Sequence, residues 1–288
     1  MIESFLSSWT LFHNTYLAGW LIGLLLSLVG VLVVARDQIF IGAAVSQAST
    51  LGIALAMWIG GWAATGPLFW LRSDGFLSIM AVAFSVIAAL ITGPVQESAR
   101  ESHEALTGWV FLVSASLSIL IVSQSPHGLE EIHRLLSSSI IGATMADVWT
   151  FGVLAGLAAL ALCALHRRIL LFAMDPVMAA AVGMKVARWG ALTSASLGLA
   201  VGLSIRSSGM LYTFGCLVLP ALAAKYVCRE VRPMFLVAPV VAVGAGAIGF
   251  ALANHYDYPP AQMTVALLSL LVTLAWLCRR LRQGSVMP

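Results

Sequence analysis

The chain alternates long apolar runs with short polar punctuation. Nine apolar segments stand out, at approximately 16–35, 39–61, 76–95, 105–123, 146–165, 187–205, 209–227, 234–253 and 262–278. Each is about 20 residues, the length of a membrane-spanning helix rather than of a roughly 10-residue barrel strand. The second run breaks the pattern from within. In "FIGAAVSQASTLGIALAMW", Phe40 to Trp58, the polar residues Ser46, Gln47, Ser49 and Thr50 fall in the middle of the apolar stretch. Uncompensated polar groups are costly in hydrocarbon, so four together ask for a reason.

Composition sharpens the class. Of 288 residues, 60% are hydrophobic and only 9% charged, against about 25% charged in soluble domains. The expectation is an all-α polytopic integral membrane protein of about nine transmembrane helices. A net charge of +3 gives no argument for nucleic acid. The first residues, "MIESFLSSWTLFHN", hold Glu3 and no Lys or Arg, unlike a cleaved leader; they read as mature protein, with an interfacial helix as one possibility. Cys163, Cys216, Cys228 and Cys278 are widely spaced and read as free core thiols.

Charge sets the orientation. With nine spans and the N-terminus outside, twelve of the fifteen basic residues fall in inner loops, leaving Arg72, Arg134 and Arg206 outside. The positive-inside rule then places the C-terminus in the cytoplasm. The longest inner connection is 166–186, "HRRILLFAMDPVMAAAVGMKV". Asp175 as N-cap and Pro176 at the first position start a short helix over 176–182, and Gly183 stops it. Such a helix is either a connector on the membrane surface or a docking element for a cytoplasmic partner.

No sequence engine is present. The chain contains no G-x-x-x-x-G-K-[ST], G-x-S-x-G or H-E-x-x-H, so neither nucleotide hydrolysis nor hydrolase chemistry is indicated. The spans hold Lys, Asp and Glu only near their ends, which argues against a proton-coupled pump. A transporter of this kind takes its energy from elsewhere.

Five stretches, in order, resemble the membrane permeases of the ABC-3 family, which import zinc, manganese and iron. They are "GVLVVARDQIFIGAAVSQASTLGIALA" (30–56), "HRLLSSSIIGATMADVW" (133–149), "LLFAMDPVMAAAVGM" (170–184), "GMLYTFGCLVLPALAAK" (209–225) and "ANHYDYPPAQMTVALLSLL" (253–271). The resemblance covers nearly the whole chain. It implies a single permease domain over 1–288, working as a dimer with a like or different permease chain in the bacterial cytoplasmic membrane. It also implies two cytoplasmic ATPase subunits that bind ATP-Mg, an extracytoplasmic substrate-binding protein, and no cofactor in this chain. Asp175, Pro176 and Gly183 match the family's cytoplasmic motif, which favours the docking reading of 176–182.

The resemblance exposes a departure. Family members usually carry an aspartate and a histidine four residues apart in the second span, one face of a helix suited to a divalent ion. Here those positions are Ala43 and Gln47, so no metal ligand is assigned, and Ser46, Gln47, Ser49 and Thr50 are the expected substrate pathway. Three explanations are open: a second permease chain that keeps the ligands, a cargo that is a chelate or other small polar solute, or an ion that crosses partly hydrated. An inactive or regulatory relative is a fourth. Serine, threonine and glutamine also serve as glue between packed helices. The rival from another class is an ATP-independent channel or carrier.

Three further features carry candidate chemistry. "SPHGLEEIHRLL" (125–136) places His127 four residues before Glu131 and Glu130 three before His133, which is a solvated outer loop, metal-ligand spacing or a face for a binding protein. "NHYDYPP" (254–260) brings His255 near Asp257, but Pro259-Pro260 marks it as a stiff turn. Arg206, in "SIRSSGM" between spans six and seven, either snorkels to the headgroups or, if near a pathway, repels cations and attracts an anionic cargo.

Overall fold

The structure, a computed structural model, describes residues 2–62, 69–93, 103–124 and 140–284. Among the described residues every regular element is helical. The helices are α1 (Ile2–Ala35), α2 (Ile39–Trp62), α3 (Asp74–Thr92), α4 (His103–Val122), α5 (Met145–Met174), α6 (Pro176–Ala181), α7 (Val186–Val227), α8 (Val231–Tyr256) and α9 (Pro260–Gly284). Short 3-10 turns at Phe69–Arg72 and Ile140–Gly142 precede α3 and α5. All but α6 are long and apolar enough to cross a membrane, eight in total; the protein is a multi-pass membrane protein.

Nine predicted segments occupy eight helices because α7 holds two. It has 42 residues, and at Gly209 (φ 77, ψ 171) it is not helical. Its two helical stretches, 186–208 and 210–227, are each about one hydrocarbon core long at roughly 1.5 Å per residue. Glycine tolerates that left-handed φ because it has no Cβ.

Two boundaries also move. The N-terminal residues, for which an interfacial helix was one possibility, continue into the first span: α1 runs unbroken from Ile2 to Ala35. Helix α5 continues through His166, Arg167 and Arg168 to Met174 instead of ending near 165. It gains a capping box, Thr144 with Asp147, at its start, and it buries Ile169, Phe172 and Ala173 near its end. Burial of those side chains outweighs the charge signal that suggested a stop.

The chain divides into two compact units. One comprises residues 1–37, 139–175 and 211–288. In it α1 packs against α5 and α8, and α9 folds back on α8. The turn between them is set by Asp257, in the left-handed region at φ 55, whose N–H is donated to Ala253 O. A Cβ on Gly30 would lie 1.8 Å from Leu217 O, so α1 and the second half of α7 meet backbone to backbone. Tyr212, 1% exposed, donates its hydroxyl to Gly19 O at 2.9 Å and packs with Tyr16 around Phe250. Lys225 pairs with Asp37. Arg36 lies over the Phe172 ring at 4.7 Å, and burial lowers its pKa from the ordinary arginine value.

The other unit comprises residues 38–138 and 176–210. Here α2 packs on α3 and α4. A Cβ on Gly52 would come within 2.4 Å of Met80 O. Gly198 and Gly202 of α7 approach α3 closely, and Ser85 Oγ donates to Gly198 O at 2.6 Å. Small residues let helix backbones touch where lipid offers no hydrophobic drive to associate.

Candidate functional site

The polar cluster of α2 is buried inside the second unit. Ala43, Ser46, Gln47 and Thr50 stand at helical spacings of three and four and share one stripe, with Ser49 beside it. Ser46 is 1% exposed, Ser49 0% and Thr50 6%; Gln47 and Ala43 are half-buried. Thr50 donates its hydroxyl back to Ser46 O at 3.1 Å, one turn earlier. The hydroxyl oxygens of Ser46 and Ser49 have no hydrogen-bond partner. Gln47 donates from Nε2 to the sulfur of Met210 at 3.2 Å, a weak acceptor.

The first half of α7 adds a residue that the sequence reading missed. Ser204 is fully buried, and its hydroxyl also lacks a partner. The signal was the polar run "SIRSSG" at the junction of two apolar segments, of which only Arg206 was singled out. Buried polar groups without partners are uncommon and each calls for an explanation. Here all three, on Ser46, Ser49 and Ser204, are hydroxyls with no formal charge. Among the described residues no group of three or more His, Cys, Asp and Glu side chains could hold a metal ion.

Arg206 does not face the site as a bare cation. Its Nη2 lies 2.8 Å from Asp74 Oδ1 and its Nη1 donates to Ser78 Oγ at 2.6 Å. The pair joins α7 to the first turn of α3, where Ser73 accepts from the Phe76 N–H as N-cap. Asp74 offsets the charge that the sequence left either to repel cations or to snorkel to the headgroups.

The predicted short helix is present as α6. Asp175 closes α5 by donating its N–H to Leu171 O at 2.9 Å, and Pro176 opens α6. Gly183 stands at φ 81. Its N–H is donated to Ala180 O and that of Met184 to Ala179 O, the paired bonds of a Schellman stop. Ala179 is buried, whereas Met174, Val177, Met178 and Val182 are exposed. The helix is anchored by one small residue and presents apolar side chains outward.

The remaining candidates fall differently. His127, Glu130, Glu131 and His133 lie outside the described residues. His255 stacks edge-on against Tyr256 and Asp257 caps α8, so "NHYDYPP" builds a turn. Of the four cysteines expected in the core, Cys216 is buried, Cys228 is half-buried, and Cys163 and Cys278 are exposed. The latter two lie on outward faces of apolar helices, where thiol and lipid are compatible.

Similarity to known proteins follows this architecture. The chain is 24% identical over 273 residues to the manganese transport system membrane protein MntC of Halalkalibacterium halodurans, covering 94% of this chain and 88% of that one. It is 23% identical over 255 residues to the chelated iron transport system membrane protein YfeD of Yersinia pestis, covering 88% and 80%. Its fold is that of the solved structure of PsaBC from Streptococcus pneumoniae in complex with Fab, with a TM-score of 0.78 and 19% identity over 96% of this chain and 95% of that one. With residues 8–279 matching it from the first span to the last, the chain belongs to the ABC 3 transport family.

Proposed function

We propose that the chain is the permease subunit of a binding-protein-dependent ABC importer for divalent transition metals. It resides in the bacterial cytoplasmic membrane with its N-terminus outside. Energy comes from ATP-Mg hydrolysed by cytoplasmic ATPase subunits, and a second permease chain completes the pore. The observation that carries this reading is the pairing of eight apolar helices with one short helix, α6, whose exposed face is apolar. A soluble partner would bury Val177, Met178 and Val182, and Asp175, Pro176 and Gly183 fix the geometry of that contact. Relatives named for manganese and for chelated iron support a metal-bearing cargo.

One observation favours a second reading of the cargo. The α2 stripe offers Ser46, Gln47, Ser49 and Thr50 but neither carboxylate nor imidazole. Neutral donors and acceptors suit a ligand-wrapped metal better than a bare dication, which prefers charged or nitrogen ligands. The test is ATP-dependent uptake by the assembled complex in proteoliposomes, run in parallel with the free ion and with its chelate. Preference for the free ion supports the first reading and preference for the chelate the second. Uptake without the ATPase would overturn both.

A further inference from the structure

The first unit contains a cavity that the transport reading does not use. Helix α9 folds back on α8, so the end of α9 and the start of α8 lie together, beside the last turn of α7 and Asp37. A space of about 1530 Å³ opens among them, larger than the roughly 300–1,000 Å³ typical of small-molecule pockets.

Its lining has two chemistries. At the end formed by the start of α8 and the end of α9 stand Arg229, Arg232, Arg279 and Arg282. Arg279 rests over the Tyr226 ring at 5.8 Å. Arg229 and Arg232 are exposed and take part in neither of the ion pairs found among the described residues. Lys225 is already neutralised by Asp37, and Glu230 is the only other carboxylate among the lining residues. Farther along the two helices the wall is apolar: Val237 and Val241 of α8, and Leu271 and Leu274 of α9, the two leucines exposed. From Arg232 to Val241, and from Arg279 back to Leu271, the wall descends roughly 12–13 Å along each helix.

An occupant must therefore be anionic at one end and apolar for about that length. A bare anion would leave the apolar wall in water, and a neutral lipid would leave the guanidiniums unmatched. Basic pockets between membrane helices hold anionic headgroups in this manner. We propose that this groove binds one anionic phospholipid. Its phosphate lies among Arg229, Arg232 and Arg279, and an acyl chain lies along Val237, Val241, Leu271 and Leu274. The lipid would splint the α8–α9 pair to the end of α7.

Native mass spectrometry of the full-length chain tests this, with phosphatidylglycerol and phosphatidylcholine added at equal concentration. The expected result is retention of phosphatidylglycerol in preference to phosphatidylcholine. Each basic residue beside an anionic headgroup contributes about fivefold in affinity, so Arg229→Gln/Arg232→Gln/Arg279→Gln should weaken phosphatidylglycerol roughly a hundredfold. Leu274→Trp fills the groove without touching charge, should also reduce retention, and stands alone if the triple variant does not fold. Equal retention of the two lipids, or unchanged retention in the variants, overturns the proposal. So does displacement by millimolar inorganic phosphate with Leu274→Trp silent, which would indicate an anion site only.

Discussion

Gln47 Nε2 and Met210 Sδ lie 3.2 Å apart, tying the polar stripe of α2 to the residue that follows the break at Gly209. The contact uses a weak acceptor, so little is lost if the Gln47 carboxamide turns to another partner. Together with the unpartnered hydroxyls of Ser46, Ser49 and Ser204, it makes this the polar part of the unit most ready to meet a solute.

Restoring ligands should restore a metal site. Ala43→Asp/Gln47→His puts a carboxylate and an imidazole on one stripe of α2, one turn apart. Binding of zinc or manganese to the purified chain, measured by calorimetry, should tighten by at least about tenfold. Unchanged affinity would mean that the stripe is inaccessible to ions.

The Arg206–Asp74 pair makes an asymmetric prediction. Asp74 is largely exposed, at 85%, and Arg206 less so, at 32%. Such a pair stabilises the fold by less than about 1 kcal/mol, and melting should shift little in either single variant. Transport should separate them. Asp74→Asn leaves Arg206 uncompensated and should slow cation uptake, most strongly at low ionic strength. Arg206→Gln should slow it less. Equal effects would remove electrostatics from the explanation.

Gly183 ends α6 at φ 81, with no heavy atom within 4 Å of where a Cβ would stand. The penalty for Gly183→Ala is thus conformational rather than steric, roughly 1 kcal/mol. The variant chain should accumulate normally. If α6 is the docking element proposed above, its ability to stimulate ATP hydrolysis by the partner subunit should fall, because the helix end frays. Full stimulation would place the docking surface elsewhere.

How much of this was legible beforehand depended on the kind of signal. The second-span cluster, the Asp175-Pro176 start and the Gly183 stop are local, and local chemistry is written in neighbouring residues. The end of α5 was not legible, because His166, Arg167 and Arg168 read as a loop until Phe172 and Ala173 are seen buried. Ser204 escaped because an unpartnered hydroxyl is a property of its surroundings. The neutralisation of Arg206 by Asp74 spans 132 positions in the sequence, a pairing that no spacing rule reaches.

Glycine packing separates two kinds of position. Gly30→Ala would drive a Cβ to 1.8 Å from Leu217 O, whereas Gly156 has nothing within 4 Å. Backbone cannot yield as a flexible side chain does, so Gly30→Ala should cost about 3 kcal/mol or more. Gly156→Ala should be neutral or slightly stabilising. Thermal melting of the detergent-solubilised variants checks both; equal melting temperatures would contradict the backbone contact between α1 and α7.

The most direct test of the central claim is uptake by the complete complex, permease with its ATPase and binding protein, in proteoliposomes loaded with ATP-Mg. Radiolabelled manganese should accumulate saturably, as free ion or as chelate, and accumulation should stop when ATP is replaced by a non-hydrolysable analogue. Accumulation that persists without hydrolysis would make the chain a channel or carrier and contradict the account.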